Sequence, residues 1–335
     1  MKAVVFTTPA LPLSDPQSLF DHELAKPTPG ARDLLVEVRA IAVNPVDTKV
    51  RASRQSDAPQ VLGWDAVGVV REVGAEVTLF QPGDEVFYAG AIDRPGCYSE
   101  FHVVDERIVG HKPRSLDAAS AAALPLTSIT AWELLFDRLG VAENGGEGQK
   151  LVVIGAAGGV GSMLLQLARK LTGLTVIGTA SRPETRAWVT ELGAHHVLDH
   201  SAPLAEQLDA QGLGSVDYVI SLTHTDQYLA QIVEILRPQG KLALIDDPKQ
   251  LDVVPFKRKS LSVHWELMFT RSLFHTDDMI KQHQLLQRVS ALVDDGVLKT
   301  TLGEHFGTIN ASNLRRAHGL IESAKAKGKI VLEGF

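Results

Sequence analysis

The chain has 335 residues, of which 44% are hydrophobic and 22% charged, as in an ordinary globular protein long enough for about two domains. Its 33 Lys and Arg against 40 Asp and Glu give a formal net charge of −7, which argues against a nucleic-acid-binding protein. The single cysteine, Cys97, excludes an intrachain disulfide framework and a multi-cysteine metal site. We therefore expect a cytoplasmic protein, and we identify no apolar run of about 18 residues that would predict a membrane span.

The first third of the chain has the pattern of a β-rich domain. Apolar and charged residues partly alternate there, as they do in half-buried strands, and proline and glycine separate the segments. Short strands with frequent turns indicate a rolled or barrel-like domain. The predicted strands are 34–43, 65–73 and 84–88.

From about residue 115 the pattern becomes helical and then alternates between strand and helix. The segment 117–139 is predicted to be helical, with a break or restart at Pro125. Strands that alternate with helices predict right-handed crossovers and a doubly wound parallel sheet, an α/β architecture. The predicted strands are 151–154, 175–178, 197–198, 216–220 and 241–245, and the predicted helices are 163–171, 184–192 and 227–236.

The C-terminal tail is predicted to contain helices at 279–294 and 311–326 and a final strand at 329–333. We expect the tail to return to the first domain, which makes that domain discontinuous in sequence. The predicted domains are therefore 1–124 together with 266–335, and 125–265.

A glycine-rich segment, 155–161, follows a predicted strand and opens a predicted helix. Gly158 and Gly161 have the spacing of the second and third glycines of a dinucleotide fingerprint, and Ala156 stands where the first glycine usually stands. Glycine lets the backbone approach a pyrophosphate, and the helix N-terminus supplies N–H donors. The segment predicts a dinucleotide site at Ala156, Gly158, Gly159, Val160 and Gly161. The alternative is a tight turn that only packs a helix against a strand.

The end of the next predicted strand indicates which dinucleotide binds. NAD enzymes commonly have an Asp or Glu there to bind the ribose 2′-hydroxyl, whereas this chain has Ser181 and Arg182. A hydroxyl and a guanidinium suit a 2′-phosphate, so we predict NADPH as the cofactor. His200 is expected near the adenine end of the site. The alternative is that Arg182 and His200 are solvated loop residues.

These segments together resemble the medium-chain dehydrogenase/reductase superfamily, and most of all its zinc-free quinone oxidoreductase branch, whose members are often labelled zinc-type alcohol dehydrogenase-like. The resemblance runs almost from end to end. Residues 148–169 nearly match the quinone oxidoreductase signature, 42–47 resemble the branch's NPxD segment, and 63–68 resemble the G-x-[DE]…G segment that follows it. It implies a GroES-like catalytic domain plus a Rossmann domain, usually in a homodimer.

The chain departs from the zinc-dependent relatives at the positions of their metal ligands. Those relatives have a Cys where Asn44 stands, a His where Trp64 stands and a Cys or Asp near Pro125. Asn and Trp do not complete a zinc site, and the four-cysteine lobe that holds structural zinc is absent. We therefore predict no metal site.

The resemblance also implies roles for individual side chains. Asn44 and Asp47 lie on the family's active-site loop, where the Asn44 amide could donate to a carbonyl oxygen as charge develops; loop hydrogen bonding is the alternative for both. Lys49 stands where some ene-reducing relatives have a Tyr and could donate a proton, or it could be a solvated lysine. Trp64 could form an apolar wall for a flat substrate or belong to the core. Thr130 matches a threonine that faces the nicotinamide in relatives, with helix capping as its alternative.

Without a metal, an acceptor that is already electrophilic is the easiest one to reduce. The cofactor carries the hydride chemistry, and the protein supplies orientation. We therefore predict an NADPH-dependent oxidoreductase that delivers hydride to a quinone or an α,β-unsaturated carbonyl compound. A zinc-type alcohol dehydrogenase and a non-catalytic NADPH-binding protein remain alternatives. The expected partner is a small-molecule substrate, with neither nucleic acid nor membrane.

Overall fold

The computed structural model describes all 335 residues, and they divide into two compact units. The first unit comprises Met1–Ile129 and Phe269–Phe335, and the second comprises Thr130–Met268. The divisions fall after residues 129 and 268, whereas the predicted ones fall after 124 and 265.

Sixteen strands and ten α-helices make up the two units. The strands are β1 (Lys2–Phe6), β2 (Phe20–Glu23), β3 (Asp33–Val43), β4 (Gln60–Val61), β5 (Ala66–Val73), β6 (Glu85–Tyr88), β7 (Phe101–Asp105), β8 (Val109–His111), β9 (Lys150–Ile154), β10 (Thr175–Thr179), β11 (His196–Leu198), β12 (Val216–Ser221), β13 (Leu236–Leu244), β14 (Ser262–Trp265), β15 (Leu302–His305) and β16 (Lys329–Glu333). The helices are α1 (Pro45–Ser53), α2 (Ala118–Ala122), α3 (Pro125–Trp132), α4 (Gly159–Leu171), α5 (Pro183–Glu191), α6 (Leu204–Ala210), α7 (Thr225–Ile235), α8 (Thr270–Leu273), α9 (Ile280–Asp294) and α10 (Ala311–Glu322).

The first unit is built on a seven-stranded sheet in which β3 is central. The strand order is β15-β16-β3-β5-β6-β8, and β7 pairs with β3 outside that path. β3 is long and largely buried, and it pairs antiparallel with β16 in a register that places Ile330 opposite Val43. The C-terminal tail therefore adds a strand to the sheet of the first unit. A small sheet of order β2-β1-β4 completes the unit.

The second unit is a six-stranded parallel sheet of order β11-β10-β9-β12-β13-β14. β9 lies in the middle, and its residues 151–154 are fully buried, which explains the continuous apolar run in the sequence. The strand order reverses on either side of β9. Ligands of doubly wound sheets bind at the carboxyl ends of the strands beside such a reversal. The GroES-like and Rossmann fold class is thereby confirmed.

Most predicted elements are confirmed, and the differences have local causes. β13 begins at Leu236 rather than at 241, because the turn around Gln239, whose φ is +64°, is accommodated as an irregularity in its pairing with β12. α10 ends at Glu322 rather than near 326, because Ala324, two residues beyond Glu322, adopts a left-handed conformation. α1 was not predicted, although Pro45 at its first turn is a helix-start signal.

The segment Ala118–Arg138 is long and apolar enough to cross a membrane by length and composition alone. However, 83% of its apolar window is buried inside the protein, as is usual for a core helix.

Candidate active site

The glycine-rich turn joins β9 to the N-terminus of α4. Gly155 adopts a left-handed conformation with φ +81°, and the Gly158 N–H donates to its carbonyl oxygen at 3.3 Å. The first bond of the helix runs from the Ser162 N–H to the Gly158 carbonyl at 2.8 Å. The N–H groups of residues 159–161 therefore have no acceptor within the helix, which is the arrangement that binds an anion.

Glycine suits the two fingerprint positions for different physical reasons. A Cβ at Gly158 would meet only the Gly155 carbonyl oxygen, at 3.6 Å, so there is open space beside the turn. A Cβ at Gly161 would lie about 2.5 Å from the Ala156 backbone, so this glycine permits close packing of α4. The positive φ belongs to Gly155 and not to Ala156, whose side chain is fully buried. Gly155 is thus a turn residue that sequence reasoning missed, although a glycine directly after a buried strand was the available signal.

The other predicted cofactor residues of the second unit follow the neighbouring strands. Thr179 of β10 pairs with Leu198 of β11, and its hydroxyl accepts from the Gly155 N–H at 3.2 Å. Ser181 and Arg182 directly follow β10, and His200 follows β11. The carboxyl ends of three adjacent parallel strands therefore bring the predicted pyrophosphate, ribose and adenine residues to one edge of the sheet.

Arg182 is the N-cap residue of α5, and its side chain makes no capping hydrogen bond. Its Nε lies 3.2 Å from Glu184 Oε1, and the two side chains are 44% and 57% exposed. Exposed ion pairs of this kind contribute little, so the guanidinium can exchange this partner for a phosphate. Thr130 is buried in α3, where that helix passes from the first unit into the second.

In the first unit, three buried side chains form what we call the Lys329 cluster: Asn44, Asp65 and Lys329. The Lys329 ammonium donates to Asp65 Oδ2 at 2.8 Å, to the Val43 carbonyl oxygen at 3.2 Å and to Asn44 Oδ1. Asn44 Nδ2 donates to Asp65 Oδ2 at 2.9 Å, and the Leu126 N–H donates to Asp65 Oδ1 at 2.8 Å. Sequence reasoning missed Lys329. Its strand, β16, pairs with β3, which ends at Val43 beside Asn44, and local sequence patterns do not predict that pairing.

These contacts correct the expected role of Asn44. Its amide N–H groups donate to Asp65 and, at 3.4 Å, to the Ala42 carbonyl oxygen, and the side chain is buried. Donation to a substrate carbonyl would require at least the longer of these bonds to be released. The arrangement is the loop hydrogen bonding that the sequence left as the alternative.

Asp47 is a fully buried carboxyl group in the first turn of α1. Its Oδ2 accepts from the Asn44 backbone N–H and from the Tyr98 hydroxyl, both at 2.8 Å, whereas Oδ1 has no hydrogen-bond partner. Burial raises the pKa of Asp47 to about 7, even though both hydrogen bonds act in the opposite direction. The Tyr98 hydroxyl also lies 3.3 Å from His318 Nε2, and burial lowers the pKa of that imidazole to about 3. Asp47 can therefore hold or release a proton near neutral pH.

Trp64 and Lys49 have opposite environments. Trp64 is completely buried, donates its indole N–H to the Ala91 carbonyl oxygen at 3.0 Å, and packs edge-on against Phe269 at 6.2 Å. It is therefore a core residue of the first unit rather than an accessible wall for a substrate. Lys49 is exposed on α1, four residues along the helix from Pro45.

A GroES-like sheet unit with a discontinuous chain, together with a Rossmann unit that carries a dinucleotide turn, defines a medium-chain dehydrogenase/reductase. Family models agree: residues 30–114 match the alcohol dehydrogenase GroES-like domain, and residues 192–332 match the zinc-binding dehydrogenase model. A zinc-type alcohol dehydrogenase-like protein of Staphylococcus aureus is 40% identical over 314 residues, which cover 93% of each chain. The chain therefore belongs to the zinc-type alcohol dehydrogenase-like family of this superfamily.

Other known proteins extend this result. A solved structure from Rhizobium etli, described as a putative zinc-dependent alcohol dehydrogenase, has a TM-score of 0.96 and 57% identity, and covers 100% of this chain and 98% of its own. A Pseudomonas syringae quinone oxidoreductase structure has a TM-score of 0.84 at 26% identity and covers 99% of each chain. A mitochondrial NAD(P)H oxidoreductase of Mus musculus is 29% identical and covers 90% of this chain and 81% of its own. The protein is an oxidoreductase with a nicotinamide cofactor.

The side chains present do not fit the zinc ion that the family name implies. No group of three or more His, Cys, Asp or Glu side chains lies close enough together to hold a metal ion. Asn44 Oδ1 accepts from an ammonium, the Trp64 indole is only a donor, and Asp65 is occupied by Lys329. Burial raises the pKa of Cys97 and keeps it a thiol. A catalytic zinc ion requires three protein N, S or O ligands in tetrahedral geometry.

The residues present do fit a nicotinamide dinucleotide. The first-turn N–H groups of α4 and the open space at Gly158 suit a pyrophosphate, and Ser181, Arg182 and His200 follow the adjacent strands. The bound nicotinamide would supply the hydride chemistry.

Proposed function

We propose that this protein is a zinc-independent, NADPH-dependent oxidoreductase that reduces a quinone or an α,β-unsaturated carbonyl compound. The observation that carries the proposal is the Lys329 cluster. Where zinc-dependent relatives have metal ligands, this chain has an amide bound to an ammonium and a tryptophan in the core. A site without a Lewis acid favours an acceptor that is already electrophilic, and the similarity to quinone oxidoreductases supports the same substrate class.

The preference for NADPH rests on the end of β10. Ser181 and Arg182 occupy the positions where an acidic residue would bind the ribose hydroxyls and repel a 2′-phosphate. The guanidinium is exposed and forms a surface ion pair with Glu184. A phosphate can replace that carboxylate, because Arg forms charge-assisted hydrogen bonds with phosphate oxygens.

Reduction of a C=C bond also requires a proton, and α1 offers two groups. Asp47 titrates near neutral pH but is buried, so we assign it to holding a proton within the active-site loop. Lys49 is exposed on the same helix and is our candidate donor to a substrate. The two assignments rest on different requirements of general acid–base catalysis: a pKa near neutral pH for Asp47, and access to the acceptor for Lys49.

A steady-state screen tests the proposal. Purified protein is assayed with quinones, enones, saturated aldehydes and alcohols, with NADPH and NADH separately, before and after treatment with a chelator, and its zinc content is measured. We expect quinone or enone reduction with NADPH that survives chelation, with well under one zinc per chain. Stoichiometric zinc with alcohol oxidation lost on chelation would establish the zinc-type alternative. Tight NADPH binding without turnover of any acceptor would establish the non-catalytic alternative.

We also propose a cytoplasmic homodimer that forms through the second unit. β14 is an edge strand, and Trp265 at its end and Leu267 just beyond it are each about half exposed. An edge strand beside exposed apolar side chains readily pairs with a second copy of itself. Analytical ultracentrifugation should give a dimer, and Trp265→Glu should shift it toward a monomer. A monomeric wild-type protein at micromolar concentration would refute the dimer.

A further inference from the structure

We propose that Lys329 is a positioning residue for the reaction: its buried ammonium holds Asn44 at the start of α1 and, through Asp65, holds the first turn of α3. The expected effect on the reaction rate rests on the proposed function. The expected effect on the structure does not, because the contacts of the ammonium exist without substrate or cofactor.

The ammonium of Lys329 is completely coordinated by the protein. Lys329 is 3% exposed, and its three N–H donors are matched by Asp65 Oδ2, Asn44 Oδ1 and the Val43 carbonyl oxygen. A buried lysine requires such pairing, because a bare charge in the interior is strongly unfavourable. The geometry therefore makes the ammonium a built-in cation, in the region where zinc-dependent relatives hold a metal.

The Lys329 ammonium determines the orientation of the Asn44 side-chain amide. An ammonium has only donors, so it must face Oδ1, and Nδ2 must then face Asp65. Asn44 also precedes α1, and its backbone N–H donates to the Asp47 carboxyl group at 2.8 Å. Lys329 thus fixes the Asn44 side chain at the N-cap of α1, the helix whose first turns carry the other candidate catalytic side chains.

Asp65 transmits the same constraint to α3. All three groups that contact its carboxylate oxygens are donors: the Lys329 ammonium, the Asn44 amide and the Leu126 N–H. That N–H lies in the first turn of α3, where backbone donors have no acceptor within the helix, and a carboxylate is favoured there by the helix dipole. Thr130, the predicted nicotinamide contact, lies one helical turn after Leu126.

Two variants test the proposal. Lys329→Met removes the cation but leaves Asp65 buried and uncompensated, which can prevent folding. Lys329→Met/Asp65→Leu removes both charges with side chains of similar size, so the fold is expected to persist. Lys112→Met is the matched control, since Lys112 is another buried lysine of the first unit whose ammonium holds the Pro113 and Leu116 carbonyl oxygens.

For the double variant we expect kcat to fall between about tenfold and a hundredfold, as misplaced reacting groups do. The dissociation constant for NADPH should change less than twofold, because the predicted dinucleotide residues are in the second unit. Amide hydrogen exchange should become faster in peptides covering 44–53 and 124–132 and remain unchanged over 151–171. The control should leave kcat within twofold and exchange over 44–53 unchanged.

A folded double variant that keeps kcat within twofold would overturn the positioning role, as would unchanged exchange over 44–53 and 124–132. If the wild-type protein reduces no quinone or enone, the proposed function fails. The exchange measurement alone then decides whether Lys329 organises the loop.

Discussion

The buried carboxyl group of Asp47 leads to a quantitative prediction for the pH dependence of folding. Its pKa is about 7 in the folded protein, against 3.8 for an ordinary aspartate, because burial penalises the charged form. Folding therefore favours the protonated form. The stabilising contribution is fully present below about pH 4 and is lost as the pH rises to about 7. A difference of about 3 pKa units corresponds to at most about 4 kcal/mol in the free energy of unfolding.

Asp47→Asn removes this titration and keeps the shape. The new amide oxygen can accept from the Asn44 N–H and from the Tyr98 hydroxyl, and its NH2 takes the place of the unpartnered Oδ1. Relative to the wild type, the variant should therefore become more stable as the pH rises from 4 to 7, by up to about 4 kcal/mol. Buried His318 and His102 have lowered pKa values and act in the opposite direction in both proteins, so the comparison largely removes them.

The measurement is urea unfolding at half-unit pH steps, followed by the fluorescence of Trp64, the sole tryptophan of the first unit. The other three tryptophans are replaced by phenylalanine. Asp278→Asn is the control, because hydrogen bonding to Arg271 lowers the pKa of that exposed carboxyl group to about 2, so its titration falls below this pH window. A stability difference between wild type and Asp47→Asn that stays constant from pH 4 to 7 would refute the reasoning.

Three further outcomes are expected. Arg182→Ala should raise the KM for NADPH roughly tenfold and leave that for NADH nearly unchanged, since one exposed charge-assisted contact is lost; equal weakening of both would contradict the 2′-phosphate assignment. Deuterium at C4 of NADPH should appear at the β-carbon of an enone product by mass spectrometry, and complete washout into solvent would exclude direct transfer. Gly161→Ala should lower the melting temperature and weaken dinucleotide binding, because its Cβ would overlap the Ala156 backbone. Gly319→Ala in α10, whose Cβ would meet only Leu13 at an ordinary 3.6 Å, should do neither.

Local patterns were enough to predict most of the second unit. A buried strand, a glycine turn and a helix follow one another within 150–171, so the apolar run and the glycine spacing contain nearly all the information needed. The roles of individual glycines were less accessible. The left-handed conformation of Gly155 and the close approach at Gly161 depend on how α4 packs against the end of β9.

The sequence by itself determined the two-domain organisation, the dinucleotide turn and the absence of zinc-ligand side chains at positions 44 and 64. Only the tertiary structure revealed what occupies that region. Lys329 is 264 residues from Asp65 and 285 from Asn44, and the three meet because β16 pairs with β3 beside the start of α1. Hydrophobic periodicity indicates which face of a strand is buried, but it does not predict that a lysine enters the core to pair with a distant carboxylate. That pairing is a property of the folded chain, because it stabilises a buried charge only after both strands are in place.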